Sequence, residues 1–424
     1  MKKLPKVSIV GLGYVGFPLA NIVAKSKKYS VFGFDINQTA IKKITSGIAP
    51  ISDTETTKNL KKFDFSVSND PNILKDSDYY IICVPTPVFK NHLPDLRPVK
   101  NAAKTIAKFL KKGQTVILES TVNPGVCRKV ILPILEQSGL TGGRDFELAH
   151  CPERINPGDA KWNVSNIPRN ISALTKIGAE KIAKFYRNVL LSKINIVSTL
   201  ETAEATKIVE NTFRDINIAY VNELAKSFDV LGIDIVEVIN AASNKPFAFM
   251  PHFPSCGVGG HCIPVDPYYL IKRAHELGFN HEFLKMARKV NNSMPNYTVN
   301  QLQKIMTKAG LKKGKTTIGL LGLSYKANIG DLRESPALKI KCILKNKRFN
   351  FLSFDPYFPE LSDTKDLPQI LKKCQALILA ANHKEFLDLT KNNLSNIKII
   401  IDGKNCLDKA KIESLGITYK GIGR

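Results

Sequence analysis

A thiol and a carboxylate lie four residues apart in a glycine-rich turn of this 424-residue chain. Gly257, Gly259 and Gly260 precede Cys262, and Asp266 follows it. Glycines allow a backbone to approach a ligand closely and to adopt positive φ angles. A thiol in that setting is suited to nucleophilic attack on a carbonyl carbon. We therefore predict that Cys262 is a catalytic nucleophile.

Two structural alternatives apply to this turn. Cys262 could be a small buried side chain, as cysteines outside disulfides often are, or Cys256 and Cys262 could share a metal ion. A metal site would need further Cys or His ligands at short spacing, and only His252 and His261 lie near these thiols. We therefore favour catalysis and predict no metal site.

The N-terminal segment has the pattern of a dinucleotide-binding turn. An apolar strand at residues 7–10 leads into G-x-G-x-x-G and then into a helical pattern. In this motif Gly11 makes the turn, Gly13 admits the pyrophosphate, and Gly16 lets helix and strand pack closely. The next strand ends at Asp35, whose carboxylate suits a ribose 2′-hydroxyl and repels a 2′-phosphate. The sequence therefore predicts NAD and not NADP.

Three further strand patterns, at residues 79–84, 115–118 and 146–149, end in polar or turn residues. In an open parallel sheet ligands bind at the carboxyl ends of the strands, so these loops are expected to surround the nicotinamide and the substrate. The prolines of the first loop would serve equally well as ordinary turn residues. The residues singled out in these loops are Pro85, Thr86, Glu119, Thr121, Glu153 and Arg154.

From residue 200 to about residue 242 the pattern is helical, and no glycine occurs between Leu200 and Leu231. This predicts one long helix that bridges two domains. Lys207 and Asn211 lie one helical turn apart, so they share a face of that helix. A lysine considered alone would more often lie in solvent.

A second α/β unit is predicted from about residue 315. Its first strand, at residues 316–323, is not followed by G-x-G-x-x-G, so this unit is expected to hold a different nucleotide or to act as a lid. Lys326, Arg333 and Glu334 precede a helix N-terminus, where phosphate contacts are favoured. For Arg333 and Glu334, exposed ionic residues would be an equally ordinary explanation.

Composition is that of a globular protein, with 43% hydrophobic and 23% charged residues. The formal net charge of +25 invites a nucleic-acid interpretation, but the basic residues are spread along the chain and no nucleic-acid motif occurs. A positive field equally suits small anionic ligands. There is no run of 18 apolar residues and no signal-peptide pattern, which predicts a cytoplasmic protein without membrane insertion. Eight cysteines without paired spacing predict reduced thiols.

These motifs together resemble the nucleotide-sugar 6-dehydrogenases of the UDP-glucose/UDP-N-acetylhexosamine dehydrogenase family, across essentially the whole chain. Residues 324–335 are similar to the UDP-binding signature of that family. The expected α/β fold has two Rossmann-like doubly wound domains joined by a long central helix and a helical middle region. We expect an NAD-binding domain at 1–199, a central region with the Cys262 loop at 200–306, and a UDP-sugar-binding domain at 307–424. A homodimer or higher homo-oligomer is expected through the Leu200 helix.

The resemblance implies a four-electron oxidation of the C6 alcohol of a UDP-sugar to a carboxylate, with two NAD per turnover. Asp266 with water would take the proton in the first oxidation, and Lys207 and Asn211 would hold the oxyanion. Cys262 would then capture the aldehyde as a thiohemiacetal, whose oxidation gives a thioester.

Thr121 and Glu153 are implied, with Asp266, to position the water that hydrolyses the thioester. The implied catalytic residues are therefore Thr121, Glu153, Lys207, Asn211, Cys262 and Asp266. The implied cofactor contacts are Gly11, Gly13, Tyr14, Val15, Gly16, Asp35, Pro85, Thr86 and Thr121. The implied substrate contacts are Glu153, Arg154, Lys207, Asn211, Phe249, Gly259, Lys326 and Arg333.

The chain departs from the family pattern at three positions. Pro157 stands where the UDP-glucose enzymes carry a second glutamate, Gly330 where an aspartate is frequent, and Lys404 where an arginine is frequent. Residues 152–159 and 244–249 are similar to the acetamido-sugar branch. This favours UDP-N-acetylglucosamine ahead of its manno and galacto epimers, with UDP-glucose as an alternative.

An N-acetyl group needs apolar surface and a hydrogen-bonding partner. Phe247, Phe249 and Asn244 would supply these, unless the two aromatic rings belong to the core.

Two other classes of protein share part of the pattern. A two-electron β-hydroxyacid dehydrogenase would have the glycine motif and a lysine on a bridging helix, but it needs neither Cys262 nor a second α/β unit. A non-catalytic nucleotide- or nucleic-acid-binding module would explain the charge and leave the thiol without a role.

Overall fold

The computed structural model describes residues 4–51, 64–89, 91, 93–154, 161–391 and 394–424. The chain divides into two compact units. Unit 1 comprises Met1–Glu210 and Tyr268–Phe279, and unit 2 comprises Asn211–Pro267 and Asn280–Arg424. The three-part division at residues 199 and 306 stays a prediction.

Unit 1 is built on an eight-stranded sheet of order β3-β2-β1-β4-β5-β6-β7-β8. All neighbouring strands are parallel except β6 and β7, which pair antiparallel. The order 3-2-1-4-5-6 is that of a dinucleotide-binding doubly wound sheet. The order in which successive strands are added reverses between β1 and β4, although these two strands are parallel. The strands are β1 (Lys6–Val10), β2 (Ser30–Phe34), β3 (Ser66–Ser68), β4 (Tyr79–Ile82), β5 (Thr115–Leu118), β6 (Glu147–His150), β7 (Arg169–Ala173) and β8 (Ile194–Ile196).

The central strands of this sheet are buried on both faces, as parallel strands covered by helices are. Ile9 and Ile117 pack into one hydrophobic layer, and their neighbours Val10 and Leu118 pack into the other. This explains why the strands appear in the sequence as continuous apolar runs. The helices on the two faces are Gly16–Lys25, Gln38–Thr45, Arg97–Ala107, Leu132–Leu135 and Lys176–Val189.

The predicted long helix is present as Leu200–Leu231. Gly232 follows it at φ +73°. Because this left-handed conformation stops a helix, residues 235–242 form a separate helix, Ile235–Ala242. Asp234 caps that helix by accepting the backbone N–H of Val236 at 2.9 Å. The boundary between the two units falls within the long helix, after Glu210.

Unit 2 contains a five-stranded, all-parallel sheet of order β10-β9-β11-β12-β13. This is the second common doubly wound order, 2-1-3-4-5, and the predicted fold class is therefore confirmed. The strands are β9 (Thr317–Leu321), β10 (Asn350–Phe354), β11 (Ala376–Leu379), β12 (Ile399–Asp402) and β13 (Thr418–Gly421). The accompanying helices are Glu282–Lys308, Pro336–Asn346, Leu367–Lys373, Lys384–Leu387 and Lys409–Glu413, and the helix Asp266–Glu276 begins at the end of the Cys262 turn.

All eight cysteines lie among the described residues, and none forms a disulfide. In the described part of the chain, no helix is both long and apolar enough to cross a membrane. The cytoplasmic location stays a prediction.

Candidate functional site

The glycine turn after β1 has the space that a pyrophosphate needs. Gly11 adopts φ +95°, and a Cβ there would lie 2.9 Å from the Cys83 carbonyl group. A Cβ on Gly16 would lie 1.9 Å from the Gly11 carbonyl oxygen, so the packing of helix against turn requires glycine. A Cβ on Gly13 would meet nothing within 4 Å. Gly13 thus leaves the backbone open next to the N-terminus of Gly16–Lys25, where an anion is favoured.

Asp35 lies at the end of β2 beside this turn. Its carboxylate accepts the backbone N–H groups of Leu12 and Asn37, each at 2.8 Å, and it is only partly buried. Lone pairs therefore remain for a ribose hydroxyl. The cavity next to it has a volume of about 690 Å³. Its lining includes Gly11, Gly13, Asp35, Asn37, Ile51, Val84, Pro85, Arg97 and Ala102. Space, anion-binding turn and carboxylate all fit NAD.

Tyr14 and Val15, in the same motif, are partly buried beside the core. The loop after β4 carries Pro85, which is exposed, and Thr86, which is partly buried. The carbonyl oxygen of Thr86 accepts the hydroxyl of the fully buried Tyr269. Sequence reasoning missed Tyr269, since a hydroxyl at that distance along the chain gives no local signal.

The loop after β5 carries Thr121, which is partly exposed. The fully buried carboxylate of Glu204 accepts the backbone N–H groups of Gly125 at 2.5 Å and Cys127 at 2.7 Å. Burial raises the pKa of Glu204 to about 7. Glu204 therefore anchors this loop to the long helix, one turn before Lys207. Lys207 itself is 7% exposed and not the solvent-facing lysine that its type alone would suggest.

Glu153 is 5% exposed beyond the end of β6. Its Oε1 accepts the Arg154 backbone N–H at 2.6 Å, and its Oε2 forms an ion pair with Arg169 at 2.5 Å. The Arg154 guanidinium pairs with Glu210 at 2.6 Å and donates to the Pro168 carbonyl oxygen at 2.9 Å. Sequence reasoning missed Arg169, whose relevance depends on strand pairing.

Pro157 and the other residues of 155–160 lie outside the described residues. The departure at Pro157 is therefore known from the sequence alone.

In unit 2, the two thiols of the glycine turn have different surroundings. Cys256 is fully buried, donates its backbone N–H to the Gly403 carbonyl oxygen at 2.8 Å, and burial raises its pKa. Cys262 is partly exposed, and its carbonyl oxygen accepts the backbone N–H of Asp266 at 2.8 Å. Cys256 is thus a structural residue, while Cys262 lies at the entry of the helix Asp266–Glu276.

Asp266 is joined to the long helix by a short hydrogen bond. The Asn211 amide nitrogen donates to Asp266 Oδ2 at 2.5 Å, and the two residues are 5% and 3% exposed. A buried carboxylate needs such a donor. Unit 2 therefore brings Asn211, Cys262 and Asp266 together, and their catalytic roles stay predictions.

The thiol turn packs directly on the loop that follows β9. A Cβ on Gly259 would lie 2.5 Å from Tyr325 Cβ, and one on Gly260, at φ +92°, would lie 2.9 Å from the Tyr325 ring. The Gly260 backbone N–H donates to the Arg333 carbonyl oxygen at 2.9 Å. Gly259 and Gly260 are therefore needed for close packing against Tyr325, in addition to the positive φ that the sequence analysis predicts for such a turn.

The half-exposed Arg333 side chain is held by Asp331. Its Nε and Nη2 donate to the carboxylate at distances from 2.5 to 3.0 Å. Burial opposes ionisation of Asp331, but the hydrogen bonds from Arg333 outweigh it and lower the pKa of that carboxyl. Lys326 in the same loop is partly exposed. Both cations are thus accessible to an anionic ligand.

Other predicted substrate-side residues lie apart from any core. Phe247 is 67% exposed and Phe249 is 37% exposed, which excludes the alternative that they are core residues. Asn244 is also exposed. Gly330 and Lys404 are partly buried, and the Lys404 backbone N–H donates to Asp402. Among the described residues no cluster of three His, Cys, Asp or Glu side chains could hold a metal ion.

Three models of the UDP-glucose/GDP-mannose dehydrogenase family match the chain: the NAD binding domain at residues 5–190, the central domain at 201–293 and the UDP binding domain at 319–409. The chain is 38% identical to the UDP-N-acetyl-D-glucosamine 6-dehydrogenase of Pseudomonas aeruginosa, over 97% of this chain and 99% of that protein. It is 35% identical to the UDP-N-acetyl-D-mannosamine dehydrogenase of Pyrococcus horikoshii, over 99% of both. The solved structure of the Pyrococcus enzyme superposes with a TM-score of 0.92, covering 99% of each chain. An NDP-N-acetyl-D-galactosaminuronic acid dehydrogenase from Methanosarcina mazei superposes with a TM-score of 0.83 at 27% identity, covering 100% of this chain and 96% of that one.

Proposed function

The chain belongs to the UDP-glucose/GDP-mannose dehydrogenase family and uses NAD, and from that premise we propose that it oxidises the C6 alcohol of UDP-N-acetylglucosamine to the uronate, for a surface polysaccharide precursor. The oxidation removes four electrons, so it consumes two NAD and one water per sugar. The single observation that carries the proposal is the partly exposed Cys262 thiol beside the buried Asn211–Asp266 pair.

NAD, which the Gly11–Gly16 turn and Asp35 would hold, would supply the acceptor for the C6 hydride in the first oxidation. Asp266 takes the hydroxyl proton through a water molecule, and the Asn211 amide keeps the Asp266 carboxylate in one orientation. Lys207 and Asn211 stabilise the developing alkoxide, for which a buried cation is well suited. The product of this step is a C6 aldehyde.

In the second oxidation the Cys262 sulfur bonds to the aldehyde carbon and gives a thiohemiacetal. Loss of a second hydride from C6 and of the hydroxyl proton leaves a thioester. Water, positioned by Thr121, Glu153 and Asp266, breaks the carbon–sulfur bond and releases the carboxylate and the thiol. Capture by Cys262 also prevents escape of the aldehyde.

Replacement of the nucleophile tests this scheme. Cys262→Ala is expected to abolish uronate formation while binding of NAD and of the UDP-sugar is retained, because the turn and the cofactor site do not depend on the sulfur. The matched control is Cys342→Ala, which removes an exposed thiol from the helix Pro336–Asn346. Full activity in Cys262→Ala, measured as uronate by chromatography, would refute the mechanism.

The acyl-enzyme is the second readout. Glu153→Gln is expected to slow hydrolysis and to leave a sugar adduct on Cys262 that intact-protein and peptide mass spectrometry detect. An adduct on Cys256 instead, or none, contradicts the scheme. The fully buried position of Cys256 makes that thiol the internal control.

The choice of sugar is supported by the residue pattern and by relatives named for N-acetylhexosamines. Exposed Phe247 and Phe249 offer apolar surface to an acetamido methyl group, and Asn244 offers a hydrogen-bonding partner. Loss of a satisfied amide costs about 1–3 kcal/mol, so UDP-glucose should be about 10- to 100-fold lower in kcat/KM.

A panel of UDP-N-acetylglucosamine, its manno and galacto epimers and UDP-glucose tests this choice, with NADH absorbance as the readout. The highest kcat/KM is expected for the gluco sugar. A higher value for either epimer would reassign the sugar within the N-acetylhexosamines, whereas a faster UDP-glucose would reject the acetamido assignment.

We also propose a homodimer through the long helix. Tyr220, Val230 and Leu231 on this helix are 58%, 86% and 64% exposed. Burial of such exposed apolar side chains against another protein surface is favourable. We propose a second copy of this chain as that surface, because most soluble oligomers are symmetric homo-oligomers. Light scattering should give twice the monomer mass of 47.0 kDa. A monomer at micromolar concentration would contradict it.

A further inference from the structure

A buried network of charges lies behind Glu153 in unit 1. Arg169, the first residue of β7, is fully buried although it carries a guanidinium group. Its two terminal nitrogens form ion pairs with two different carboxylates, at 2.5 Å to Glu153 and 3.3 Å to Glu119. A buried cation is costly unless partners compensate its charge, so this arginine depends on both acids.

The antiparallel strand explains how these residues meet. β7 runs against β6, with Ser172 opposite His150, so the first residue of β7 lies beyond the carboxyl end of β6. Glu153 follows that end of β6, and Glu119 directly follows the neighbouring strand β5. The Glu153 backbone N–H also donates to the Glu119 carbonyl oxygen at 3.4 Å. A parallel strand in this position would start at the opposite edge of the sheet.

Tyr186 completes the network from the helix Lys176–Val189. Its hydroxyl donates to Glu119 Oε1 at 2.5 Å, and its ring centroid lies 5.9 Å from the Arg169 guanidinium. Burial raises the pKa of the Glu119 carboxyl to about 7, although the Arg169 charge opposes this. Two thiols, Cys83 and Cys151, also face the network, and burial raises the pKa of each.

We infer that Arg169, supported by Glu119 and Tyr186, is a positioning residue that holds the Glu153 carboxylate in one orientation for thioester hydrolysis. Oε2 faces Arg169, and Oε1 receives the Arg154 backbone N–H at 2.6 Å. Contacts to both oxygens therefore fix the plane of the Glu153 carboxylate. The inference rests on the proposed function, in which Glu153 positions the hydrolytic water.

The test compares Arg169→Met, which removes the charge, with Arg169→Lys, which keeps it. Arg169→Met should lower kcat by about 100-fold, because a misplaced group at a reacting centre has an effect of that order. Arg169→Lys should recover part of the loss. Dissociation constants for NAD and for the UDP-sugar should stay within about twofold, and the Cys262 adduct should accumulate in both variants.

The matched control is Glu147→Gln on β6. Glu147 is 9% exposed, and its carboxylate accepts the Thr175 hydroxyl at 2.5 Å and the Leu174 backbone N–H at 2.9 Å. It resembles Glu119 in burial and lies on the strand that leads to Glu153, yet its hydrogen bonds go to Leu174 and Thr175. Its replacement should leave kcat and the adduct level unchanged.

An unchanged kcat in both Arg169 variants would overturn the inference, and so would a loss of kcat that only parallels loss of NAD binding. If Arg169→Met does not fold, Arg169→Lys and Tyr186→Phe test the inference instead. Each should accumulate the Cys262 adduct, and its absence in both would overturn the inference. A wild-type yield of one NADH per sugar would overturn the proposed function together with this role of Glu153. A yield of two with unaffected Arg169 variants would overturn this inference alone.

Discussion

The two units build the same strand–turn–carboxylate arrangement and use it differently. In unit 1 the Gly11 backbone N–H donates to the Phe34 carbonyl oxygen at 2.8 Å, and Asp35 accepts the next N–H at 2.8 Å. In unit 2 Gly322 donates to Phe354 at 2.8 Å, and Asp355 accepts the next N–H at 2.6 Å. Both turns therefore come from the same local rule: a glycine, then a carboxylate at the end of the neighbouring strand.

The difference lies in what surrounds the carboxylate. Asp35 is partly exposed and lines a cavity. Asp355 is fully buried and also accepts the Ser324 hydroxyl at 2.9 Å and His383 Nε2 at 3.3 Å. His383 Nδ1 accepts the Asn328 backbone N–H, so the proton on Nε2 is the one donated to Asp355. Asp35 is thus available to a ribose hydroxyl. The Asp355 carboxylate instead accepts hydrogen bonds from the loop that follows β9 and from His383.

The segment that follows the turn also differs between the two units. In unit 1 a helix begins at Gly16, five residues after the turn glycine. In unit 2 the next helix begins at Pro336, after a loop that carries Lys326 and Arg333. The first arrangement offers a helix N-terminus to a pyrophosphate, and the second offers side-chain cations. The two units thus share the turn that joins neighbouring strand ends. They differ in the segment after the turn, and that segment determines which groups are offered to a ligand.

The largest expected effect concerns the turn glycines. Gly11→Ala and Gly322→Ala should each destabilise their own unit by about 3 kcal/mol, since both combine a positive φ with a Cβ closer than 3 Å to a neighbour. Gly13→Ala should leave stability unchanged and weaken NAD binding. Hydrogen exchange of the backbone amides in β1 and in β9 measures the stability of unit 1 and of unit 2 separately. Equal protection in all three variants would contradict the packing requirement at Gly11 and Gly322.

The two carboxylates should give opposite results when replaced. Asp355→Asn should destabilise unit 2 by about 2–3 kcal/mol, because it disrupts the pairing of several buried donors. Asp35→Asn should leave stability nearly unchanged and weaken NAD binding. Calorimetry and NAD titration check both. Loss of stability in Asp35→Asn that equals that in Asp355→Asn would remove the distinction.

The pH dependence of stability should also differ. Glu204 in unit 1 has a pKa raised by burial to about 7, so the folded state binds more protons than the unfolded state between about pH 4.5 and 7. Its contribution to stability therefore falls as pH rises through that window, by at most about 1.4 kcal/mol per unit. Glu204→Gln should remove this slope, as followed by denaturant unfolding at several pH values. An unchanged slope would contradict the burial argument.

Asp355 in unit 2 behaves in the reverse way. Burial opposes its ionisation, but the hydrogen bonds from His383, Ser324 and Tyr357 outweigh it and lower the pKa. Its stabilising contribution is present above the ordinary pKa of an aspartate and is lost as pH falls below it. Asp355→Asn should therefore flatten only the acid side of the stability profile.

The smallest effect concerns the cofactor. NAD should be preferred over NADP by at least about 10-fold in kcat/KM, which corresponds to about 1.4 kcal/mol. Asp35→Asn should reduce that preference, and Asp355→Asn should not change it. Equal kcat/KM for both cofactors in the wild type would refute the role of Asp35.

Much of this arrangement could be predicted from local sequence. The glycine motif with Asp35, the long helix and the thiol turn each depend on residues close together in the chain. Backbone conformational preferences and apolar patterning were sufficient to predict these three features. The missed residues act over long separations: Glu204 lies 79 residues from Gly125, and Tyr269 lies 183 residues from Thr86. Such contacts depend on strand order, which the sequence pattern does not specify.

The site residues divide in the same way. Asn211 and Asp266 were predicted individually, but their hydrogen bond was not, because 55 residues separate them. Arg169 has no local signal either, since it meets Glu153 only through the antiparallel pairing of β7 with β6. One helical clue existed: Glu204 precedes Lys207 by three residues, so it belongs to the same face of the helix.

The central claim is that one enzyme carries an alcohol through two oxidations with Cys262 as the nucleophile. Its most direct test is the number of NADH formed per UDP-N-acetylglucosamine, with limiting sugar and excess NAD, alongside Cys262→Ala. The account predicts two NADH per sugar and a uronate product in the wild type, and no uronate in the variant. One NADH per sugar in the wild type, or two in the variant, would contradict it.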